Sequence, residues 1–338
     1  MYDVVTIGST VKDSFWYTDF ETVSSDAAPS GKAIAIPLGE KFGAEKVVTS
    51  LGGNAANAAV TFSRQGHSTA LFTKVGNDVV AKELVQELKK EKVSTDLVEY
   101  SNDKNTAESI LLLQDGERSI ITYHGAINEF TLEHVALEQL HAQWWYVSLP
   151  GDSYKLFDRL LVYAREHNIK VAYNPSFKHL QGEGRNDLLK HLEDVSLLVL
   201  NEGEAAALTG ISFEKEQEVF EKLDVLVPGI VAVTNGPKGV TVSDGAHIYK
   251  AGIFKEQHIE DRTGAGDAFG SGFVAGLLQT EEECKKGVCN SDNITHAIRL
   301  ASANATSVIE QVGSTPGTLT KEAFETNPRW KELDITIM

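Results

Sequence analysis

Cysteine is nearly absent from this chain: Cys284 and Cys289 are the only two in 338 residues. A disulfide scaffold is therefore excluded, and with only His296 nearby the pair falls short of the four ligands of a structural zinc site. The two read as free thiols of a reducing cytosol. Basic residues are scarce as well, with 31 Lys and Arg against 48 Asp and Glu and a formal net charge of −17. Nucleic acid and anionic membrane surfaces need clustered cations, so neither is an expected partner. No apolar run reaches membrane-spanning length, and the amino terminus lacks a cationic stretch followed by an apolar one. The expected setting is cytoplasmic. Neither a G-x-x-x-x-G-K-[ST] loop nor a G-x-G-x-x-G after the first strand-like run is present, which weighs against P-loop and dinucleotide-binding folds.

What is present is ample core material and a regular alternation. Hydrophobic residues make up 42% of the chain, enough for a large α/β domain or two smaller ones. Strand-like runs (residues 4–7, 70–75, 145–149, 170–173, 197–200) alternate with helical ones (54–64, 80–91, 154–166). This order predicts a mainly parallel sheet wrapped by helices. Two stretches break it. Residues 15–50 show alternating apolar residues and turn signals without a good helix, and residues 106–123 read as two strands around Asp115-Gly116-Glu117.

The most informative stretch is Asp261-Arg262-Thr263-Gly264-Ala265-Gly266-Asp267-Ala268-Phe269. Gly264 and Gly266 let the backbone turn, and the apolar residues 268–278 read as a buried helix. The unpaired N–H groups of Gly264, Ala265 and Gly266, together with the helix dipole, suit an anion such as a transferring phosphoryl group. Asp267 would then be the general base that orients a hydroxyl and takes its proton. Taken alone, the same run is equally a glycine turn capping a helix.

A second cluster, Gly52-Gly53-Asn54-Ala55-Ala56-Asn57-Ala58-Ala59, is followed by Gly66 and then Gly76-Asn77-Asp78. In this order, and with the carboxyl-terminal run, the chain resembles the ribokinase-like (PfkB) carbohydrate and nucleoside kinases. The resemblance implies a single ribokinase-like kinase domain over residues 1–338. Its mostly parallel central sheet would be flanked by helices, and a small β-sheet lid would be drawn from about 15–50 and 106–123. It implies ATP-dependent phosphorylation of a hydroxyl on a small sugar. A nucleoside kinase on the same fold and a catalytically weak sugar-binding regulator stay open beside it.

Site residues follow from the same resemblance. Asp13, Gly53 and Asn57 would hold the acceptor, since a carboxylate at a strand end can grip a vicinal diol and the double glycine admits substrate to the backbone. Asn201 and Glu204 would act near Mg²⁺ through water, in keeping with magnesium's preference for oxygen ligands. The same N-x-x-E spacing is also an ordinary helix start. Thr234, Gly236 and Gly239 would line the ATP site, although residues 231–240 also read as a plain hairpin. Asp261 and Thr263 would stand around a monovalent cation, making K⁺ an expected cofactor beside ATP and Mg²⁺. Lid edges that need covering suggest a homodimer, with Trp16, Tyr17 and Phe20 read as lid core. His124, Asn128 and Asn174 are further cleft candidates. Two departures stand out. The adenine-contact position falls on Ser302 rather than Asn304, and no acid stands in the strand around residues 144–150.

Overall fold

Apolar runs that show no polar face need cover on both sides, and a parallel sheet between helix layers supplies it. The computed structural model describes residues 1–28, 30–114, 117–132, 136–285 and 293–338. With strands and helices numbered along the chain, the main sheet holds β1 (Tyr2–Gly8), β6 (Thr69–Gly76), β7 (Val98–Ser101), β10 (Ala142–Ser148), β11 (Lys170–Tyr173) and β12 (Leu197–Asn201). It continues through β13 (Ile230–Thr234), β14 (Val240–Ser243), β15 (Ile248–Ala251) and β16 (Ile335–Ile337). Among the described residues their order is β16-β15-β14-β13-β12-β11-β10-β1-β6-β7. Pairing is parallel from β7 through β13 and antiparallel from there to β16.

Alternation along the strands divides the core into two layers. Val5, Ile7, Trp145 and Val147 pack with helices α3 (Phe157–Glu166), α4 (Gly182–Leu188), α5 (Glu202–Thr209) and α6 (Glu216–Leu226) on one face. On the other face, Val4, Trp144 and Tyr146 meet α1 (Asn54–Arg64), α7 (Ala265–Lys285), α8 (Asn293–Ile309) and α9 (Lys321–Thr326). Helix α2 (Val79–Lys90) packs beside α1 through Leu84 and Leu88. The fold class is the one expected. Helix α1 has the bounds read from the sequence, whereas α3 starts later than expected because Gly151–Leu156 is a 3₁₀ segment.

The two interrupting stretches come together as a separate sheet. It contains β2 (Val11–Tyr17), β5 (Lys46–Gly52), β8 (Glu108–Gln114) and β9 (Glu117–Tyr123) in the order β5-β2-β8-β9, with β3 (Glu21–Ser24) and β4 (Lys32–Ala35) as a hairpin beside it. Only Ser9 and Thr10 separate β2 from the end of β1, which anchors this lid above the carboxyl ends of the parallel strands. The lid core is Phe15, wholly buried, not Trp16, which is 37% exposed on the opposite side of the same strand. Tyr17 and Phe20 are partly buried, Phe20 meeting Phe42 edge-on. The turn at Asp115-Gly116 and Cys289 lie outside the described residues. No helix among the described residues is long and apolar enough to cross a membrane.

Candidate active site

The lid and the sheet enclose a cavity built from pieces far apart in the chain. Asp13 points inward from β2, opposite Ser50 of β5 and Ser109 of β8. The Asp13 carboxyl is raised to about 6, chiefly by burial and with a contribution from the charges of Asp261 and Asp267, against a hydrogen bond from the Ser109 side chain that lowers it. Gly52 makes the position possible, because a Cβ on it would overlap the Asp13 carboxylate. This corrects the reading of the double glycine: the space above Gly52 is filled by Asp13, not kept for substrate. Gly53 does line the cavity and precedes α1. Ser9 fastens that helix start, accepting the N–H of Asn54 on its Oγ (3.1 Å) and that of Ala56 on its carbonyl (3.3 Å).

Asn57, one turn into α1, donates from Nδ2 to Asp267 Oδ2 at 2.8 Å, joining residues 210 positions apart. Its Oδ1 is buried without a hydrogen-bond partner. Asp267 lies in the first turn of α7, and its carboxyl is raised to about 6, chiefly by burial and also by the Glu204 charge, against the Asn57 bond that lowers it. Gly264 sits at φ +79°, where a Cβ would meet Ser314 at 2.5 Å. Its carbonyl accepts the Ala268 N–H at 2.8 Å, closing the first turn of the helix. The N–H groups of Ala265, Gly266 and Asp267 precede that bond and have no carbonyl four residues back within the helix.

Two cavities meet along this turn. The one under the lid is lined by Asp13, Asn57, Thr263, Gly264 and Asp267, with Ser9, Ser109, Thr122 and His124 adding polar groups and Leu111, Ile120 and Ile127 an apolar wall. The other is lined by Thr234, Gly236, Gly239, Arg262, Ala265, Gly266, Phe269 and Ser302. Residues 262–267 are thus shared between the two sides, Thr263, Gly264 and Asp267 facing the lid cavity and Arg262, Ala265 and Gly266 the other. The 231–240 segment is an antiparallel hairpin, as its turn chemistry suggests, and that turn is also cavity wall.

Other expected residues fall into place differently. Asn201 and Glu204 form a reciprocal capping box at the start of α5: Asn201 Oδ1 accepts the Glu204 N–H and the Glu204 carboxylate accepts the Asn201 N–H, both at 2.8 Å. Asn201 is the cross-strand partner of Thr234, which puts this pair at the same strand ends. Burial raises the Glu204 carboxyl, and its charge is felt at Asp267. Among the described residues no three His, Cys, Asp or Glu side chains are arranged to hold a metal ion by themselves. A magnesium ion here would depend on phosphate oxygens and water, in keeping with its reluctance to lose its hydration shell.

Asp261 is buried, and its Oδ1 accepts the Thr263 N–H (3.0 Å) and hydroxyl (2.8 Å) and a guanidinium N–H of Arg118 (3.2 Å). Asp261 Oδ2 and Ser314 Oγ are buried without hydrogen-bond partners, and such oxygens fit a monovalent cation. Asn304 is a buried brace, donating to the Ala268 carbonyl (2.9 Å) and accepting the Leu319 N–H (2.9 Å), whereas Ser302 faces the second cavity. Asn174 donates across the sheet to the Val199 carbonyl at 3.1 Å. Neither it nor Asn128 is in the lining of either cavity. Ser109, Thr122, Arg118 and Arg262 were not anticipated. The period-2 alternation of β8 and β9 was the only available signal for the lid residues.

Both Asp13 and Asp267 sit near 6 instead of near 4. If both must be ionised, kcat/KM falls below about pH 6 with a limiting slope near two. Asp13→Asn should reduce that slope to one, measured on the residual rate across pH 4.5–8.

A sheet of this order, with a β lid over a cavity that meets a second one along a helix amino terminus, is the architecture of ribokinase-like small-molecule kinases. The fold is shared with the solved ribokinase of Arabidopsis thaliana complexed with ribose and ATP, at a TM-score of 0.76, 21% identity, and coverage of 98% of this chain and 99% of that one. In sequence the chain is similar to the ribokinase of Bacillus subtilis (27% identical over 305 residues, 90% of this chain and 94% of that protein). It is also similar to the cytidine kinase of Thermococcus kodakarensis (30% identical over 242 residues, 70% and 84%). The profile of the pfkB family carbohydrate kinases matches residues 32–321. The chain belongs to this family and is an ATP-dependent carbohydrate kinase.

Proposed function

We propose that this kinase transfers the γ-phosphoryl group of ATP to a hydroxyl of an uncharged small sugar. The observation that carries the choice is the lining of the lid-covered cavity: two carboxylates, several hydroxyl and amide groups and, among the described residues, no Lys or Arg. A phosphorylated sugar would bring negative charge beside Asp13 and Asp267 with no Lys or Arg of the described lining to meet it. A free sugar instead offers hydroxyls to acceptors that need donors. The ribokinase likeness supports this reading.

Asp13, Ser109 and Asn57 hold the acceptor, and Asp267 orients one hydroxyl and takes its proton as the new P–O bond forms. Asn57 keeps the base in position through its 2.8 Å bond. The nucleotide lies along Thr234, Gly236 and Gly239, with its phosphates over Gly264, Ala265 and Gly266, whose N–H groups meet the developing charge. Mg²⁺, when bound with ATP, would neutralise phosphate charge, and Glu204 would act on it through water. Asp261 and Thr263 offer oxygens to a positive charge beside the 264–267 turn, the place where the resemblance leads one to expect a monovalent cation such as K⁺. The lid excludes water that would otherwise be phosphorylated in place of the acceptor.

A nucleoside is the second reading, favoured by the apolar wall of Leu111, Ile120 and Ile127, against which a base could lie, and by the cytidine kinase likeness. ADP release with Mg²⁺ATP over a panel of free sugars, sugar phosphates and nucleosides separates them. Free sugars alone should be turned over. Turnover of nucleosides alone would establish the second reading, and turnover of a sugar phosphate would overturn the charge argument.

The outer face of the lid carries Trp16, Val47, Ile110, Ile121 and Tyr123, 37–60% exposed, with Trp16 opposite Val47 and Ile110 opposite Ile121. We take this face as the contact of a homodimer. Light scattering should give twice the chain mass, and Ile121→Glu should return it to one.

A further inference from the structure

Arg118 belongs to β9, the edge strand of the lid, where Ile120 and Thr122 line the acceptor cavity. Residues two apart on a strand share a face, so Arg118 descends on the same side. Its guanidinium meets Asp261 at 3.2 Å across 143 positions of sequence, with the carboxylate buried and the arginine 38% exposed. The same Asp261 oxygen fixes Thr263 through two hydrogen bonds, immediately before the turn that carries Asp267. This ion pair joins the edge strand of the lid to the loop that precedes α7.

Building on the kinase reading, we infer that Arg118 is a positioning residue that supplies, from the lid, the positive charge a monovalent cation would otherwise bring to Asp261. A buried carboxylate needs a counter-charge. Once a guanidinium occupies one of its oxygens, a second cation at the same carboxylate meets repulsion from the first. A fixed arginine also acts at no concentration cost and arrives with lid closure, coupling cover of the acceptor to the order of the 261–267 loop. The enzyme with Arg118 is therefore indifferent to K⁺, and the enzyme without it becomes dependent on K⁺.

The test compares the full-length wild type, Arg118→Ala and Arg118→Lys in K⁺ and in tetramethylammonium salts of equal ionic strength, by ADP release and by thermal shift without nucleotide. Wild type and Arg118→Lys should show equal rates in the two salts and no K⁺-specific rise in Tm. Arg118→Ala should lose about 10- to 100-fold in kcat in tetramethylammonium, recover at least fivefold in K⁺, and gain a K⁺-specific rise in Tm. A merely structural arginine would give no cation rescue. K⁺ stimulation of the wild type, or an Arg118→Ala protein whose Tm is indifferent to K⁺, overturns the inference. If no acceptor elicits ADP from the wild type, the kinase reading fails, while the thermal-shift comparison still decides the role of Arg118.

Discussion

Asp267→Asn should lower kcat on the order of 10³-fold while leaving acceptor and nucleotide affinity within a few fold. The substitution removes a proton acceptor without removing volume, and the Asn57 amide that donates to Asp267 Oδ2 can donate equally to a side-chain carbonyl. The same variant should be more stable than the wild type at neutral pH. Asp267 is buried with its carboxyl raised from 3.8 to about 6, so folding favours its protonated form. Its ionised form therefore costs stability: the cost is absent below pH 4, grows as pH rises towards 6, and is constant above. A shift of this size corresponds to about 2–3 kcal/mol at pH 7.5. For a chain of this length that is a Tm higher by roughly 3 °C. The gain should vanish near pH 4. Equal turnover would remove Asp267 from the mechanism, and equal stability at pH 7.5 would show that its charge is compensated in the fold.

The two halves of the site differed in how far they could be read from the chain. Local chemistry was legible. A glycine turn running into an apolar helix identifies the α7 start, and the bounds of α1 follow from its composition between Gly53 and Gly66. The N-x-x-E spacing at Asn201 is recognisable as a capping box because that motif is completed within one helical turn. Contacts that depend on how elements cross were not legible. Nothing near Arg118 announces an ion pair with Asp261, since the register of β8 with β9 and the seating of the lid decide it. The choice of Phe15 over Trp16 as lid core was lost for a related reason. Both are aromatic neighbours on one strand, and only the direction of the lid's concave face decides which is buried. Asn57 was anticipated as an acceptor contact, yet its bond to Asp267 needs α1 and α7 to lie side by side, a tertiary fact with no local signature.

Gly52→Ala should be nearly as damaging to acceptor use as loss of Asp13 itself. The added methyl would occupy the space of the Asp13 carboxylate, forcing either the side chain or β5 to move. Displacements of about 1 Å in a positioning group cost on the order of 10²-fold in rate. A drop of that size in kcat/KM for the acceptor is expected, with nucleotide affinity unchanged because Gly52 lines neither wall of the second cavity. Crowding in a closed site should also destabilise the fold by about 1–3 kcal/mol. A double-mutant cycle separates this route from general damage to β5. In an Asp13→Ala background the methyl of Gly52→Ala enters space that the carboxylate has left, so it should cost almost nothing further in kcat/KM or in stability. Additive losses would mean that the methyl disturbs the strand or the start of α1 directly, and that Gly52 matters for the backbone rather than for the carboxylate packed on it.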